Sequence, residues 1–168
     1  MKRRFAALIL LALILPLRGA AEGDIVGTNA PRVTAVDQDG KTLNFGDLYD
    51  KGLVLVYFYP RAGTPGCTAQ GCSLRDAYAE LTDAGVTVVG VSSDTPKAQK
   101  TFRDKYRLPF TLVADTELQV ARAFGVPAVG KFANREAFLI KKGKVIWHDG
   151  SASTKEQAAD VLRELKKL

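Results

Sequence analysis

Short apolar runs separated by glycine- and proline-containing turns predict a chain of alternating strands and helices. Residues 53–59 (LVLVYFY) and 86–91 (VTVVGV) are continuous β-branched and aromatic runs, as is typical of strands covered on both faces. In residues 32–45 two β-like stretches flank a turn that contains Gly40, which predicts a hairpin. Further strands are predicted at the runs 110–113, 137–140 and 144–147.

Helical periodicity fills the intervals between these strands. We predict helices at 67–84, 95–106, 117–124 and 154–168, the first ending at Gly85 and the last with its apolar side formed by Ala158, Val161, Leu162 and Leu165. The resulting order, β-β-β-α-β-α-β-α-β-β-α, mixes βαβ units with a terminal hairpin. It predicts one α/β domain over residues 22–168, with helices on both faces of a mixed sheet.

The first 21 residues have the pattern of an export signal. Lys2, Arg3 and Arg4 precede an apolar run of 13 residues at 5–17, and small residues end the segment at Ala21. The run is shorter than the ~20 residues that span a bilayer. Residues 1–21 are therefore predicted to be a signal peptide or an N-terminal membrane anchor, with the protein exported, periplasmic or anchored facing the periplasm.

The charge balance excludes a nucleic-acid partner. The chain carries 24 basic and 18 acidic residues, a formal net charge of +6. Subtracting the four basic residues of the leader segment leaves 20 against 18, or about +2. These charges are interspersed, whereas nucleic-acid binding needs a cluster of Lys and Arg on one face.

Cys67 lies where a buried strand, a Pro/Gly loop and the start of a helix meet. A helix N-terminus presents free amides and partial positive charge, so it stabilises a thiolate and raises its nucleophilicity at neutral pH. Gly66 keeps the backbone open to a small substrate, and Thr64 places a hydroxyl three residues before the sulfur. The alternative is that Cys67 is only a small buried hydrophobic residue.

Cys72 follows five residues later in the same predicted helix. Five residues rise about 7.5 Å and turn about 140°, which exceeds the ~7 Å Cα separation that a disulfide permits. Either the two cysteines never bond, Cys72 being an inert buried thiol, or the start of the helix unravels when they do.

The segment 57–76 (YFYPRAGTPGCTAQGCSLRD) resembles the signature of the peroxiredoxin Q family, also called bacterioferritin comigratory protein. The likeness extends from about residue 23 to the C-terminus, and residues 134–140 (NREAFLI) resemble a later block in which that family has an Arg before a strand. The resemblance implies a thioredoxin-like three-layer fold with a central mixed β-sheet flanked by helices and an N-terminal β-hairpin.

The resemblance also implies roles for single residues. Cys67 would be the peroxidatic and Cys72 the resolving cysteine of an intramolecular disulfide, with Thr64 and Arg135 as polar partners of peroxide and thiolate. Pro60 would shield the pocket, and substrate contacts would come from Pro60, Thr64, Gly66 and Arg135. The substrates would be hydrogen peroxide and organic hydroperoxides, without metal or organic cofactor, and a thioredoxin-like protein would be the reductant. An intramolecular resolving cysteine favours a monomer.

Two other functions use the same residue types. A copper-binding protein could employ Cys67, Cys72 and His148, since Cu(I) selects soft ligands. A thiol-disulfide exchange protein normally separates its cysteines by two residues, whereas this pair is separated by four. Arg75 and Asp76 could orient Arg135 or form a solvated pair. We predict no role for His148, and Gln70 is interpreted as a local packing or capping residue.

Overall fold

The computed structural model describes residues 25–168, so the predicted signal peptide or anchor, residues 1–21, lies outside the described residues. Seven strands form one sheet: β1 (Thr34–Asp37), β2 (Thr42–Asn44), β3 (Leu53–Phe58), β4 (Val86–Ser92), β5 (Thr111–Ala114), β8 (Ala137–Lys141) and β9 (Lys144–Asp149). A separate two-stranded ribbon consists of β6 (Ala128–Val129) and β7 (Phe132–Ala133). The helices are α1 (Phe45–Tyr49), α2 (Pro65–Asp76), α3 (Tyr78–Asp83), α4 (Pro96–Tyr106), α5 (Gln119–Ala123) and α6 (Gln157–Leu165).

Strand β3 lies near the middle of the sheet, whose order is β2-β1-β5-β4-β3-β8-β9. It pairs in parallel with β4 along one edge and antiparallel with β8 along the other. The predictions of an N-terminal hairpin and of a central mixed sheet are confirmed. The register sets Tyr57 opposite Ala137, which brings the residues that precede β8 to the end of β3 where the chain turns into α2.

Alternation along β3 divides the buried residues into two cores, one on each face of the sheet. The first core includes Val56 and Phe58 and is covered by α1 and α5. The second includes Leu55, Tyr57 and Cys67 and is covered by α2, α3, α4 and α6. The predicted layered architecture, with helices on both faces, is therefore confirmed.

Several predicted boundaries were wrong. The helix expected at 67–84 begins earlier, at Pro65, and is interrupted at Ala77 between α2 and α3. The closing helix, expected at 154–168, is shorter and spans Gln157–Leu165. The hydrophobic pattern did not predict α1 or the ribbon of β6 and β7. No helix within residues 25–168 has both the length and the apolarity to cross a membrane.

Candidate active site

The turn from β3 into α2 is built by residues whose backbone preferences stop a strand and start a helix. Gly63 has a φ of +78°, a left-handed conformation that glycine adopts without strain. Thr64 is the extended N-cap residue of α2, and Pro65 occupies the first helical turn, where its fixed φ and missing N–H are tolerated. Cys67 consequently lies in the first turn of α2, as predicted.

Two positive features act on the Cys67 sulfur, which is almost completely buried at 1% exposure. The guanidinium of Arg135 donates from Nη2 to Sγ over 3.4 Å. The N-terminus of α2 supplies the second, because first-turn amides lack intrahelical partners and Thr64 makes no side-chain capping bond to them. Both features direct hydrogen-bond donors or positive charge toward the sulfur.

Arg135 reaches Cys67 because β8 runs antiparallel beside β3. Arg135 has the same parity as Ala137 and Leu139, whose side chains lie in the core that contains Cys67. Its backbone carbonyl accepts a hydrogen bond from the amide of Ala152 at 3.1 Å. A Cβ at Gly66 would lie 3.3 Å from Nη2, so the absence of a side chain there leaves space for the guanidinium. Gly66 thus leaves room for Arg135.

The guanidinium is oriented by Gln70, a residue to which the sequence analysis gave no catalytic role. Arg135 Nη1 donates to Gln70 Oε1, and Gln70 Nε2 donates to Gln157 Oε1 at 2.8 Å. The proposal that Arg75 and Asp76 orient Arg135 is wrong, because Arg75 pairs with Asp76 at 2.7 Å and donates to the carbonyl of Tyr106. The sequence feature that could have indicated a role for Gln70 is its position three residues after Cys67, which places the two side chains on the same side of a helix.

Thr64 and Pro60 lie in the loop between β3 and α2. The Thr64 hydroxyl donates to the carbonyl of Arg61 at 3.0 Å. Because its proton is used in that bond, its oxygen can take part in a further hydrogen bond only as an acceptor. Pro60 is half-buried and follows directly after the buried Tyr59. Both residues are close to Cys67 along the chain, as the sequence predicted, and neither side chain hydrogen bonds to its sulfur in the described structure.

Buried polar atoms without a partner are concentrated around Cys67. Within residues 25–168 they are Tyr57 Oη, Thr68 Oγ1 and Gln157 Nε2. Burial raises the pKa of Tyr57 well above its ordinary value, and the neighbouring Tyr59 and Cys67 raise it further. Because buried polar groups are normally hydrogen-bonded, these unpaired atoms lower the stability of the region around Cys67.

Cys72 lies on the same continuous helix as Cys67, and both are free thiols here. It is only half-buried, whereas Cys67 is almost completely buried. Its neighbour Arg75 has a raised pKa, first because of its hydrogen bond to Asp76 and also because of its proximity to Cys72. The prediction that an intact helix separates the two cysteines agrees with this geometry.

His148 lies on the other face of the sheet. It pairs with Phe138, a member of the core opposite to the one that contains Cys67, and stacks on its ring at 4.4 Å. Its Nε2 is 2.8 Å from Glu136 Oε2. Among residues 25–168 no three His, Cys, Asp or Glu side chains are grouped so that they could hold a metal ion. The three candidate copper ligands are therefore not brought together.

Comparisons with known proteins identify the family of this chain. The model of the AhpC/TSA family matches residues 26–148. The chloroplastic peroxiredoxin Q of Populus jackii is 44% identical over 122 residues, which cover 71% of this chain and 57% of that protein. A putative peroxiredoxin bcp of Coxiella burnetii is 45% identical over 101 residues, which cover 60% of this chain and 66% of that protein. The chain thus spans little more than half the length of the plant protein.

Solved structures share the fold. The peroxidoxin BcpB of Mycobacterium tuberculosis has a TM-score of 0.79 and 31% identity, covering 85% of this chain and 97% of that one. The bacterioferritin comigratory protein of Xanthomonas campestris, described for its alkyl peroxide reduction activity, has a TM-score of 0.78 and 27% identity, covering 86% and 98%. The likeness to peroxiredoxin Q proteins seen in residues 57–76 is confirmed, and the chain belongs to the AhpC/TSA family.

Proposed function

We propose that this chain is a thiol peroxidase that reduces hydrogen peroxide and organic hydroperoxides in antioxidant defence. The observation that carries the proposal is the placement of the Arg135 guanidinium 3.4 Å from the sulfur of Cys67, at the N-terminus of α2. The related Xanthomonas campestris protein is described for alkyl peroxide reduction, which supports the same substrate class here.

The first step is nucleophilic attack of the Cys67 thiolate on one peroxide oxygen. An S–O bond forms as the O–O bond breaks, Cys67 becomes a sulfenic acid, and the other oxygen leaves as water or an alcohol after taking up a proton. Arg135 stabilises the thiolate and then the negative charge that develops on the leaving oxygen, as does the α2 N-terminus. The Thr64 oxygen, whose own proton is donated to the Arg61 carbonyl, acts as an acceptor for a peroxide proton. Pro60 and Gly66 form the walls at the entrance.

The second step is resolution by Cys72. Its thiolate attacks the sulfenic sulfur, the S–O bond breaks, the departing hydroxide takes up a proton to become water, and a Cys67–Cys72 disulfide forms. A thioredoxin-like protein then reduces this disulfide by exchange through its own two thiols, which become oxidised in turn. The cycle uses no metal or organic cofactor, and because both thiols belong to one chain it runs in a monomer.

Rapid-mixing kinetics test the proposal. The reduced protein should consume one equivalent of hydrogen peroxide in a fast phase, with two thiols lost per chain. Cys67→Ser should abolish consumption, whereas Cys72→Ser should retain one turnover and lose a single thiol. Consumption that survives in Cys67→Ser and disappears in Cys72→Ser would place the nucleophile at Cys72 and overturn the assignment.

Thr64→Val tests the proposed role of the hydroxyl. Valine keeps the shape of threonine and the extended N-cap backbone, so the fold should persist while the reaction with peroxide slows. Thr95 is the N-cap of α4 and accepts a bond from Ala98, which makes Thr95→Val a matched control on a second Thr-Pro helix start. Equal peroxide rates in the two variants would contradict a direct role for Thr64.

We propose further that the protein acts outside the cytoplasm, as a periplasmic enzyme or one anchored to the membrane and facing the periplasm. The support is the basic and apolar pattern of residues 1–21. A fusion of residues 1–30 to a reporter active only after export should be active. A mature chain that begins near Glu22 would indicate a cleaved signal, an intact chain in the membrane fraction would indicate the anchor, and an inactive reporter would refute export.

A copper or thiol-exchange function is not favoured by any contact of the described residues. His148 lies on the other face of the sheet from Cys67, and the two cysteines stand five residues apart in a helix rather than together at its start.

A further inference from the structure

A chain of buried hydrogen bonds extends from the active-site sulfur to the C-terminal helix. Arg135 contacts Cys67 through Nη2 and Gln70 through Nη1, and Gln70 in turn contacts Gln157 in the first turn of α6. Both glutamine side chains are completely buried. We call Arg135, Gln70 and Gln157 the amide relay.

The direction of every hydrogen bond in the relay is set by the cation at its end. A guanidinium can only donate, so it requires the carbonyl oxygen of Gln70. The amide nitrogen of Gln70 then faces Gln157 and requires an oxygen there as its acceptor. Gln157 consequently directs its carbonyl oxygen inward, and its own Nε2 is left buried without a partner. The unpaired nitrogen follows from the polarity of the chain.

Helix α6 gives Gln157 a fixed position. The next residue, Ala158, donates its amide to Ser73 Oγ in α2 at 3.1 Å. Gln70 and Ser73 are three residues apart on α2 and so lie on one side of it, facing the start of α6. Val161, fully buried, anchors the following turn. Adjacent residues of α6 thus contact both ends of one turn of α2.

We propose that Gln157 is a positioning residue for the active site, and that its side-chain carbonyl, acting through Gln70, holds Arg135 against the sulfur of Cys67. Without an acceptor at position 157, the buried amide nitrogen of Gln70 loses the hydrogen bond that holds its side chain in the rotamer presenting the carbonyl oxygen to the guanidinium. The long Arg135 side chain then samples other rotamers, and the thiolate loses part of its stabilisation. The use of this contact in peroxide reduction rests on the proposed function.

Substitutions at position 157 separate positioning from stability. Gln157→Met fills the same volume, removes the unpaired nitrogen of residue 157 and leaves the nitrogen of Gln70 unpaired instead. The two changes offset each other, so the unfolding temperature should change little. Alkylation of Cys67 by iodoacetamide, followed in the Cys72→Ser protein, should slow about tenfold at neutral pH, because misplacing a catalytic group by ~1 Å can reduce a rate by 10²-fold. The pH dependence of alkylation should move to higher pH.

Gln157→Glu is the conservative rescue, since burial favours the protonated, neutral carboxyl, whose carbonyl oxygen can still accept from Gln70. Its alkylation rate should be within about twofold of the unmodified protein, and its peroxide rate should agree. Leu165→Ala is the matched control. Leu165 is the last residue of α6, eight positions after Gln157, and packs against the same core, so its truncation should lower the unfolding temperature and leave the rate and its pH dependence unchanged.

The possible outcomes distinguish a positioning role of Gln157 from a purely structural one. An unchanged alkylation rate and pH profile in Gln157→Met, or an equal loss in Leu165→Ala, would overturn the positioning role. If Gln157→Met does not fold, a tenfold loss in folded Gln157→Glu overturns it and a retained rate supports it. Alkylation involves no peroxide, so a protein that consumes no peroxide but shows the relay effect would refute the proposed function alone.

Discussion

Formation of the Cys67–Cys72 disulfide should unfold the first turns of α2. Both cysteines lie in one continuous helix, Pro65–Asp76. Five residues of helix rise about 7.5 Å and turn their side chains about 140° apart, and a disulfide requires Cα atoms within ~7 Å. The helical hydrogen bonds between the two cysteines therefore have to break before the sulfurs can meet.

The structure sets the size of the effect. About five backbone hydrogen bonds are lost, at 0.5–1.5 kcal/mol each, or about 2.5–7.5 kcal/mol in all. The contacts of Gln70 with Gln157 and of Ser73 with Ala158 are lost with them. The crosslink returns about 2 kcal/mol, because it closes a loop of only six residues. The oxidised form should thus be less stable than the reduced form by about 0.5–5.5 kcal/mol, which for a domain of this size lowers the unfolding temperature by at least about 1 °C.

Hydrogen exchange read by mass spectrometry is the direct assay. Peptides that cover residues 65–73 should exchange faster in the disulfide form, while those that cover β3 should remain protected in both forms. Cys72→Ser treated with peroxide is the control, because its Cys67 stops at the sulfenic acid or proceeds to the sulfinic acid with α2 intact. Equal protection of residues 65–73 in the reduced and disulfide forms, or a higher unfolding temperature for the disulfide form, would refute the reasoning.

Three further substitutions test individual contacts. Arg135→Met should slow the reaction with peroxide 10²–10³-fold, or ~2.7–4 kcal/mol, in stopped-flow kinetics with the fold intact, because it removes a charged donor to the reacting atoms; a near-normal rate would show that the guanidinium is not used. Gly71→Ala places a Cβ 3.4 Å from Leu108, an ordinary contact, and should strengthen α2 by about 0.5–1 kcal/mol. Disulfide formation should then slow about two- to fivefold in a quench assay, and an unchanged rate would contradict an unfolding requirement. Asp39 has a pKa held well below its ordinary value by hydrogen bonds to Lys100 first, and also to Arg103. Its contribution to stability is present above an ordinary carboxyl pKa of about 4 and is lost as the pH falls through the lowered value, so urea midpoints of wild type and Asp39→Asn should differ at neutral pH and converge in strong acid.

Local patterns predicted the parts of the fold that depend on local physics. The apolar run of β3, the helix start after Thr95 and the stops at Gly85 and Gly125 follow from periodicity and backbone preference. The interruption at Ala77 was missed because an amphipathic pattern can continue across a break when the next turn, α3, packs on the same core. The ribbon of β6 and β7 was missed because each strand has two residues, too few for a period.

The composition of the site was only partly predictable. Cys67, Thr64 and Gly66 belong to one turn, so their proximity follows from sequence. Arg135 lies 68 residues from Cys67 and is brought there by the pairing of β3 with β8, which no local pattern reveals; the family resemblance alone pointed to it. Gln157 had a usable signal, since it is a polar residue in helical register with Val161 and directly beside Ala158, on the apolar side of α6.

In the proposed catalytic cycle helix α2 has to satisfy two opposing requirements, and its composition fits both. The reaction with peroxide needs it folded, because only then do its N-terminus and Gln70 hold the charge and the guanidinium at Cys67. Resolution needs it unfolded, because only then can Cys72 reach the sulfenic acid.

Gly66 and Gly71 lower the intrinsic helicity of α2 by roughly 1 kcal/mol each relative to alanine, and Thr64 does not cap it with its side chain. Its folded state therefore depends on tertiary contacts, the amide relay among them, and these are the contacts that unfolding breaks. A relay that both positions Arg135 and holds α2 folded links the speed of the first step to the barrier of the second, so substitutions in it should change the balance between disulfide formation and over-oxidation.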